Sequence, residues 1–311
     1  MSVSLTFDVE KEVGAEIGAP NILGLLEEYD MKATFFVVAE LALEYPSLMS
    51  WIVEAGHELA CHGYTHVPHS SFPEWVLREE LRKAVTTLRE FGEVVGFRAP
   101  SFCEDTNIYS VLREHGILYD TFWVGTSSRP LVTPLRLRTP TGVLSIVPTQ
   151  IETYNREVGL EEIEALALLD GVTTLLFHPF YDGLRPQYAK FESLVNAISL
   201  CKSIRVVRLR DAVVGQQKIE DVRVGVVIDE QYRRDLWKKY SKRKLTKAVA
   251  LPYDERVWQK YEELRETTNV ECLLSSDVQK LGRHYHGLYY PETNARKDFF
   301  TMLGARLRGR L

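Results

Sequence analysis

Residues 3–10, VSLTFDVE, are a short apolar and β-branched run that ends in two carboxylates, Asp8 and Glu10. This pattern predicts a buried strand, where a charge is costly unless it has a partner. In parallel βα folds the carboxyl ends of the strands form the active-site face. The stretch therefore predicts a central strand and a site at its end, the simpler alternative being a carboxylate that caps a following helix.

The same alternation of short apolar runs with amphipathic stretches continues to about residue 210. It predicts an α/β fold with parallel strands and crossover helices, as an open sheet or a barrel. We predict strands at 3–7, 33–38, 57–61, 95–97, 117–119, 144–147, 172–177 and 203–207. Helices are predicted at 22–29, 47–55, 74–91 and 104–114, with Asn21 as an N-cap and Gly56 and Gly92 as C′ residues.

Charge divides the chain into two parts. Residues 1–217 carry 18 basic and 29 acidic side chains, a net charge of −11, whereas residues 218–311 carry 20 and 14, a net charge of +6. We predict a first domain over 1–217, which contains the predicted strand-end site, and a smaller α+β or helical domain over 218–311, with a strand at 222–228 and a helix at 256–267. Six basic residues between Lys238 and Lys247 predict either a solvated helix face or a site for anions.

Composition narrows the function classes. The 311 residues are 45% hydrophobic and 26% charged, as in ordinary globular proteins. Four scattered cysteines without a CxxC pair are expected to be free thiols in a reducing compartment. We find no signal-like stretch, no apolar run approaching the ~20 residues of a membrane helix and no glycine-rich phosphate loop, so we expect a cytoplasmic protein without a transmembrane segment. Nucleic acid is not an expected partner.

Four of the eight histidines lie in residues 57–69, HELACHGYTHVPH. His62 and His66 are four residues apart, directly after a predicted strand, and Gly63 lets the chain fold tightly between them. Two imidazoles in this arrangement can bind one divalent cation. The alternative is one hydrogen-bonded histidine with the others on the surface.

Two further polar residues occur at predicted strand ends, Arg98 in GFRAPSF and His178 in LLFHPF. A proline follows each of them closely and stiffens the backbone that presents the side chain. Polar groups at the carboxyl ends of four parallel strands should converge on one site.

In this order, TFDVE, HGYTH, RAPSF and LLFHP resemble the motifs of the polysaccharide deacetylases, the NodB-homology carbohydrate esterases. The resemblance covers residues 1 to about 215 and implies a distorted (β/α) barrel of about seven strands. It implies that Asp8 is the general base, His62 and His66 are metal ligands, Arg98 orients the base and His178 is the general acid. The backbone N–H of Ser101 is the implied oxyanion donor, and Trp123 and Tyr64 are candidates for substrate contact.

One departure from the family pattern affects the metal site. The family commonly has two adjacent aspartates after the first strand, and Val9 stands in the second position. Residues i and i+2 share a strand face, so Glu10 is the candidate third ligand. This D-x-E spacing resembles a branch containing peptidoglycan deacetylases and allantoinase-like cyclic-amide hydrolases. Some of the latter work without a metal, so metal dependence stays open at this point.

The expected function is removal of an N-acyl group, above all N-acetyl, from a sugar or sugar conjugate, including phosphorylated or lipid-linked ones. Zinc is the expected cation, with Co²⁺, Ni²⁺ or Mn²⁺ as alternatives. Two other functions remain open: a metal-independent cyclic amide or imide hydrolase, and an inactive barrel that binds carbohydrate or a protein partner. For His284 and His286, an HxH pair without a nearby carboxylate, a structural role is expected.

Overall fold

The computed structural model describes residues 1–69, 72–102, 108–123, 135–139, 141–154, 156–168 and 171–214, with four short strands beyond them. The side chains of 122–123, 135–139 and those four strands lie outside the description.

A ten-stranded sheet is the centre of the first 214 residues. Its order is β6-β7-β5-β4-β3-β2-β1-β9-β8, with β10 paired to β1. All of these pairs are parallel except β6–β7. The strands are β1 Ser2–Val9, β2 Thr34–Val37, β3 Glu58–Cys61, β4 Gly96–Arg98, β5 Tyr119–Trp123, β6 Leu135–Thr139, β7 Gly142–Thr149, β8 Ile151–Glu152, β9 Val172–Phe177 and β10 Arg205–Val206.

Helices cover the outer face of the sheet. A π-helix, Gly14–Gly18, runs directly into the first α-helix, and a 3₁₀ turn, Pro100–Phe102, follows β4. The α-helices are α1 Ala19–Glu28, α2 Ala39–Glu44, α3 Pro46–Glu54, α4 Glu74–Arg89, α5 Ile108–Glu114, α6 Leu160–Ala167, α7 Pro179–Asp182, α8 Gln187–Leu200 and α9 Leu209–Val214.

Side-chain alternation along the strands produces two cores. On β1, Val3 and Phe7 belong to the large cluster between sheet and helices. A second, smaller cluster collects Phe36, Tyr119 and Val147 from strands spread across the sheet. Because these side chains meet on the inner face, and because β7 also contacts β9 without pairing to it, the sheet curls into a half-barrel.

The predicted (β/α) barrel is therefore confirmed, and β9 matches the predicted 172–177 at both ends. Asn21 as an N-cap is wrong: it lies inside α1, and its Nδ2 donates a hydrogen bond of 2.9 Å to the carbonyl of Gly183. Gly56 follows the C-cap of α3 with φ +81°, as a C′ residue should. Gly92 is not a C′ residue, because α4 already ends at Arg89.

The remaining described strands form a separate four-stranded parallel sheet, in the order β13-β12-β11-β14. The boundary near residue 217, the predicted helix at 256–267, the basic run 238–247 and the pair His284 and His286 lie outside the described residues. The second domain stays a prediction. The strands are β11 Val224–Ile228, β12 Ala248–Pro252, β13 Val270–Cys272 and β14 Leu288–Tyr289.

The sequence predicts free thiols and no transmembrane segment. In the part of the chain whose side chains are described, Cys61 and Cys201 are free thiols, and burial raises the pKa of Cys61 to about 12. No helix in the same part is long and apolar enough to cross a lipid bilayer.

Candidate metal and catalytic site

Side chains along β1 alternate between the two faces of the sheet, so the carboxylates of Asp8 and Glu10 lie on the same side. Thr6 and Asp8 point to the inner face of the half-barrel, and Glu10, which follows the strand, lies beside Asp8. Val9 is fully buried in the outer core, and its carbonyl accepts the N–H of Val38 at 3.1 Å. A side chain at position 9 therefore faces away from the site, whereas position 10 faces it.

The segment after β3 places His62 and His66 opposite Glu10. Their Nε2 atoms lie 3.4 Å and 2.6 Å from Oε2 of Glu10, and the three ligand atoms all lie within 4.8 Å of one another. Gly63, with φ +79°, and His66, with φ +59°, make the tight reversal between them. The two imidazoles, four residues apart in the sequence, thus meet the carboxylate of Glu10 in one cluster.

The donor chemistry of this cluster fits a divalent cation. Nδ1 of His62 donates a 2.8 Å hydrogen bond to the carbonyl of Arg98, which directs the Nε2 lone pair at Glu10. Within the described residues, neither Nε2 has a hydrogen bond of good geometry although both are buried. Two imidazole nitrogens and a carboxylate oxygen are a familiar zinc-ligand set.

Electrostatics supports the same assignment. Burial opposes ionisation of Glu10, but its contacts with His62 and His66 outweigh burial and lower its pKa. Burial likewise opposes a charged His62, and the carboxylates of Asp8 and Glu10 raise its pKa despite that. The cluster therefore attracts positive charge, which a bound cation would supply.

Arg98 fixes the neighbouring carboxylate from inside the half-barrel. Its guanidinium is fully buried and donates to Oδ1 of Asp8 at 2.6 Å. The other oxygen, Oδ2, lies 3.7 Å from Nε2 of His62. Asp8 thus has one oxygen held by Arg98 and one turned towards the candidate ligands. Nε of Arg98 also donates to the hydroxyl of Thr121 at 2.7 Å, and Nη2 donates to the hydroxyls of Thr6 at 3.0 Å and Thr149 at 3.4 Å.

His178, directly after β9, completes the group from the opposite side. A ring nitrogen of His178 and carboxylate oxygens of Asp8 and Glu10 lie within 4.8 Å of one another. Its backbone N–H donates to Oδ2 of Asp182 at 2.7 Å, which fixes the start of α7. Burial lowers the pKa of His178, and Asp8 and Glu10 partly oppose that shift.

The predicted substrate contacts have different surroundings. Ser101 is exposed and has φ +57° in the turn after Arg98, a strained geometry that is common at functional sites. The ring of Tyr64 packs against the outer core, with Nζ of Lys83 5.9 Å from its centroid. Trp123 ends β5, and its side chain lies outside the described residues.

Two residues near His178 were not predicted from the sequence. Oε1 of Glu152 lies 4.0 Å from Nδ1 of His178, and the half-exposed ring of Tyr154 makes an edge contact with its imidazole at 5.7 Å. Glu152 ends the two-residue strand β8, which is too short to leave a periodic pattern. The available signal in the sequence was a carboxylate directly after Ile151.

An open cavity of about 530 Å³ leads to the ligand cluster and is lined by Glu10 and His66. Lys11 also lines it, and its ammonium lies 3.6 Å from the ring centroid of Phe180. Three further carboxylates, on Glu12, Glu40 and Glu44, lie on the wall.

Comparison with known proteins gives a consistent result. Residues 1–126 match the family model for polysaccharide deacetylase. A Helicobacter pylori peptidoglycan deacetylase is 32% identical over 108 residues, which are 34% of this chain and 36% of that protein. The chain thus spans about a third of the length of this curated relative.

Solved structures show the fold. A Mycobacterium smegmatis chain classed as a polysaccharide deacetylase superposes with a TM-score of 0.62 at 23% identity, covering 71% of this chain and 92% of that one. Puue allantoinase superposes with a TM-score of 0.60 at 18% identity, covering 70% and 92%.

Proposed function

We propose that this chain is a metal-assisted hydrolase that removes N-acetyl groups from sugars or sugar conjugates, a proposal supported by the match of residues 1–126 to the family model for polysaccharide deacetylase. One observation supports the proposal: the candidate acid and base and the three candidate cation ligands meet at the carboxyl ends of separate strands. Asp8, with Arg98 behind it, lies within reach of Glu10, His62 and His178. A module that only binds sugar has no need of this set.

Glu10, His62 and His66 are the residues that would hold the cation. When bound there, a divalent cation would polarise the acetyl carbonyl and lower the pKa of a neighbouring water. Both Nε2 atoms are buried and face the carboxylate of Glu10 without a hydrogen bond of good geometry to any described residue, which supports this assignment.

Asp8 is the proposed general base. Its Oδ2 faces the ligands and can take a proton from the attacking water, while the water oxygen forms a bond to the acetyl carbon. Arg98 holds Oδ1 at 2.6 Å and keeps the carboxylate from rotating out of line. The hydroxyls of Thr6, Thr121 and Thr149 keep Arg98 itself in place.

His178 is the proposed general acid. As the carbon–nitrogen bond breaks, its ring donates a proton to the sugar nitrogen, and the products are acetate and the free amine. Burial lowers the pKa of His178, so at neutral pH the resting ring is largely uncharged. A ring nitrogen of His178 lies within 4.8 Å of a carboxylate oxygen of Asp8, a separation that one water can bridge, so the proton taken from the attacking water can be relayed to the ring during the reaction.

The cavity at the entrance narrows the substrate class. The carboxylates of Glu12, Glu40 and Glu44 would repel a phosphate beside the scissile bond. We therefore favour an uncharged N-acetylated sugar at the reacting end. A phosphorylated or lipid-linked substrate would have to hold its phosphate outside this cavity.

The first test is metal content by mass spectrometry of the purified full chain and three variants. We expect about one equivalent of cation in the parent and in His115→Ala, a histidine outside the site, and little in His66→Ala or Glu10→Gln. Absence of metal from the parent would overturn the metal-assisted mechanism and favour the cyclic-amide hydrolase.

The second test measures acetate release from N-acetylglucosamine oligomers. We expect Asp8→Ala and His178→Ala to abolish turnover, with Asp8→Ala retaining its cation. Unchanged turnover in both variants, or no release by a metal-loaded parent, would contradict the proposed reaction.

A further inference from the structure

We propose that Glu80 on α4 is a positioning residue for the candidate cation site, acting through the loop that carries His62 and His66. This inference rests on the proposed function, because it assigns a task to a residue only if that loop binds a cation. Glu80 lies outside the ligand cluster and would not touch the cation itself.

One carboxylate oxygen of Glu80 accepts hydrogen bonds from the backbone of the loop. Its Oε1 accepts the N–H of Tyr64 at 2.7 Å and the N–H of Thr65 at 3.2 Å. The same oxygen lies 3.6 Å from Nε2 of the buried His69, whose ring stacks on Phe97 with centroids 5.5 Å apart. One carboxylate oxygen thus contacts two of the backbone N–H groups between the candidate ligands, and also the buried ring of His69.

The opposite side of the loop is held by another helix. The N–H of Ala39 donates to the carbonyl of Gly63 at 3.0 Å, and the N–H of Glu40 donates to the carbonyl of Tyr64 at 3.1 Å. The start of α2 therefore binds the carbonyls of the loop, and Glu80 binds its N–H groups. Together these contacts hold a segment whose two positive φ angles, at Gly63 and His66, an unsupported chain would rarely adopt.

The position of Glu80 on α4 also needs an explanation. It lies on the buried face of the helix, beside Leu77 and Leu81, and is only 8% exposed. A carboxylate on such a face is costly unless it is hydrogen-bonded. Its neighbour Glu79 is exposed and pairs with Arg82 at 2.7 Å, so α4 supplies a matched surface carboxylate that does not contact the loop.

The test is a Zn²⁺ titration of the chelator-stripped full chain against a competing indicator, with the Co²⁺ absorption spectrum as a second readout. Removal of outer-shell support weakens metal affinity by about 10–100-fold, and we expect this loss in Glu80→Ala. Glu80→Gln should recover most of the affinity, because its amide oxygen still accepts both N–H groups. Glu80→Asp, which keeps the charge but is one methylene shorter, should stay weak, and Glu79→Ala should match the parent.

Hydrogen exchange of residues 62–66 in the metal-free state provides a readout that needs no cation. We expect faster exchange in Glu80→Ala and Glu80→Asp than in Glu80→Gln, Glu79→Ala or the parent. If Glu80→Ala fails to fold, the other two variants still test the proposal. Glu80→Gln should bind Zn²⁺ more tightly than Glu80→Asp, and its residues 62–66 should exchange more slowly.

The outcomes separate the two proposals. Parent-like Zn²⁺ affinity and exchange in Glu80→Asp would overturn the role of Glu80 and leave the proposed function standing. A parent that binds no cation, with fast exchange confined to the Ala and Asp variants, would overturn the cation site and leave Glu80 as the residue that holds the loop.

Discussion

Replacing Arg98 with methionine is the most informative perturbation of the half-barrel. The guanidinium is fully buried, forms a 2.6 Å ion pair with Asp8 and donates to the hydroxyls of three threonines. Methionine fills much of the same volume but donates no hydrogen bond, so Asp8 would be left as a buried charge without its partner. Removing one member of a buried pair costs about 3–5 kcal/mol, and we expect Arg98→Met to lower the free energy of unfolding by that amount.

A second substitution separates charge from packing. Asp8→Asn removes the charge that Arg98 neutralises, so the double variant Asp8→Asn/Arg98→Met no longer buries an unpaired ion. We expect it to be more stable than the sum of the two single changes implies, by about 2 kcal/mol, which is within the range for residues in direct contact.

The assay is urea denaturation of the full chain followed by far-ultraviolet circular dichroism, with a chelator present so that cation binding does not contribute. Arg82→Met is the control, because the Arg82–Glu79 pair is exposed, and its midpoint should match that of the parent. The reasoning is refuted if Arg98→Met unfolds at the same urea concentration as Arg82→Met, or if the two single effects add without a residual.

Three further predictions concern single positions. Val9→Asp should place a carboxylate in the outer core, lower stability by more than about 3 kcal/mol and leave Zn²⁺ affinity no higher; a tighter site would contradict the assigned strand face. Burial raises the pKa of Asp182 from 3.8 to about 6, so this group stabilises the fold fully below pH 4 and loses that contribution as pH rises through 6. The free energy of unfolding of Asp182→Asn, measured from urea midpoints, should therefore rise by up to about 3 kcal/mol relative to that of the parent between pH 4 and pH 8. An equal difference between variant and parent at pH 4 and pH 8 would exclude titration of Asp182 as the cause. Gly63→Ala, at φ +79° with the new Cβ 3.0 Å from Nε2 of His69, should cost about 1–2 kcal/mol and weaken Zn²⁺ binding. Gly24→Ala, in open space on α1, is its control and should stabilise the chain slightly in the same melt.

Much of the fold follows from local pattern. The strands β1 and β9 have apolar runs long enough to identify, and the alternation along β1 gives the facing of Asp8 and Glu10 without further information. The two-residue strand β8 carries too few residues for any period to show.

The start of α1 could not be predicted from the local sequence, because it depends on a tertiary contact. A π-helix runs into α1, and its Gly18 packs so closely on α7 that a Cβ would lie 2.0 Å from the carbonyl oxygen of Pro179. Nothing local to residues 14–21 specifies that approach, so Asn21 resembled a cap when it was already inside the helix. Its side chain bonds Gly183, 162 residues further along the chain.

The candidate site, like the fold, could be predicted from the sequence only in part. The sequence order of the motifs predicted which residues converge, because each follows a strand of one parallel sheet. The groups that hold them could not be predicted: Thr6, Thr121 and Thr149 come from three strands, and their common contact is Arg98. Threonines on strands are ordinary in sequence, and only the curl of the sheet makes these three meet.

The D-x-E pair differs from two adjacent carboxylates in geometry, because the second acid is one residue further along the chain. Val9 stays in the sheet, its carbonyl bonded to Val38, and its side chain fills the outer core. Glu10 has left the last paired position of β1, and its longer side chain reaches His66 at 2.6 Å. Alternation keeps both carboxylates on the inner side, so the roles proposed for them, a base beside Arg98 for Asp8 and a cation ligand for Glu10, are compatible in one site. The different surroundings of the two acids follow from the strand period and from the longer side chain of Glu10.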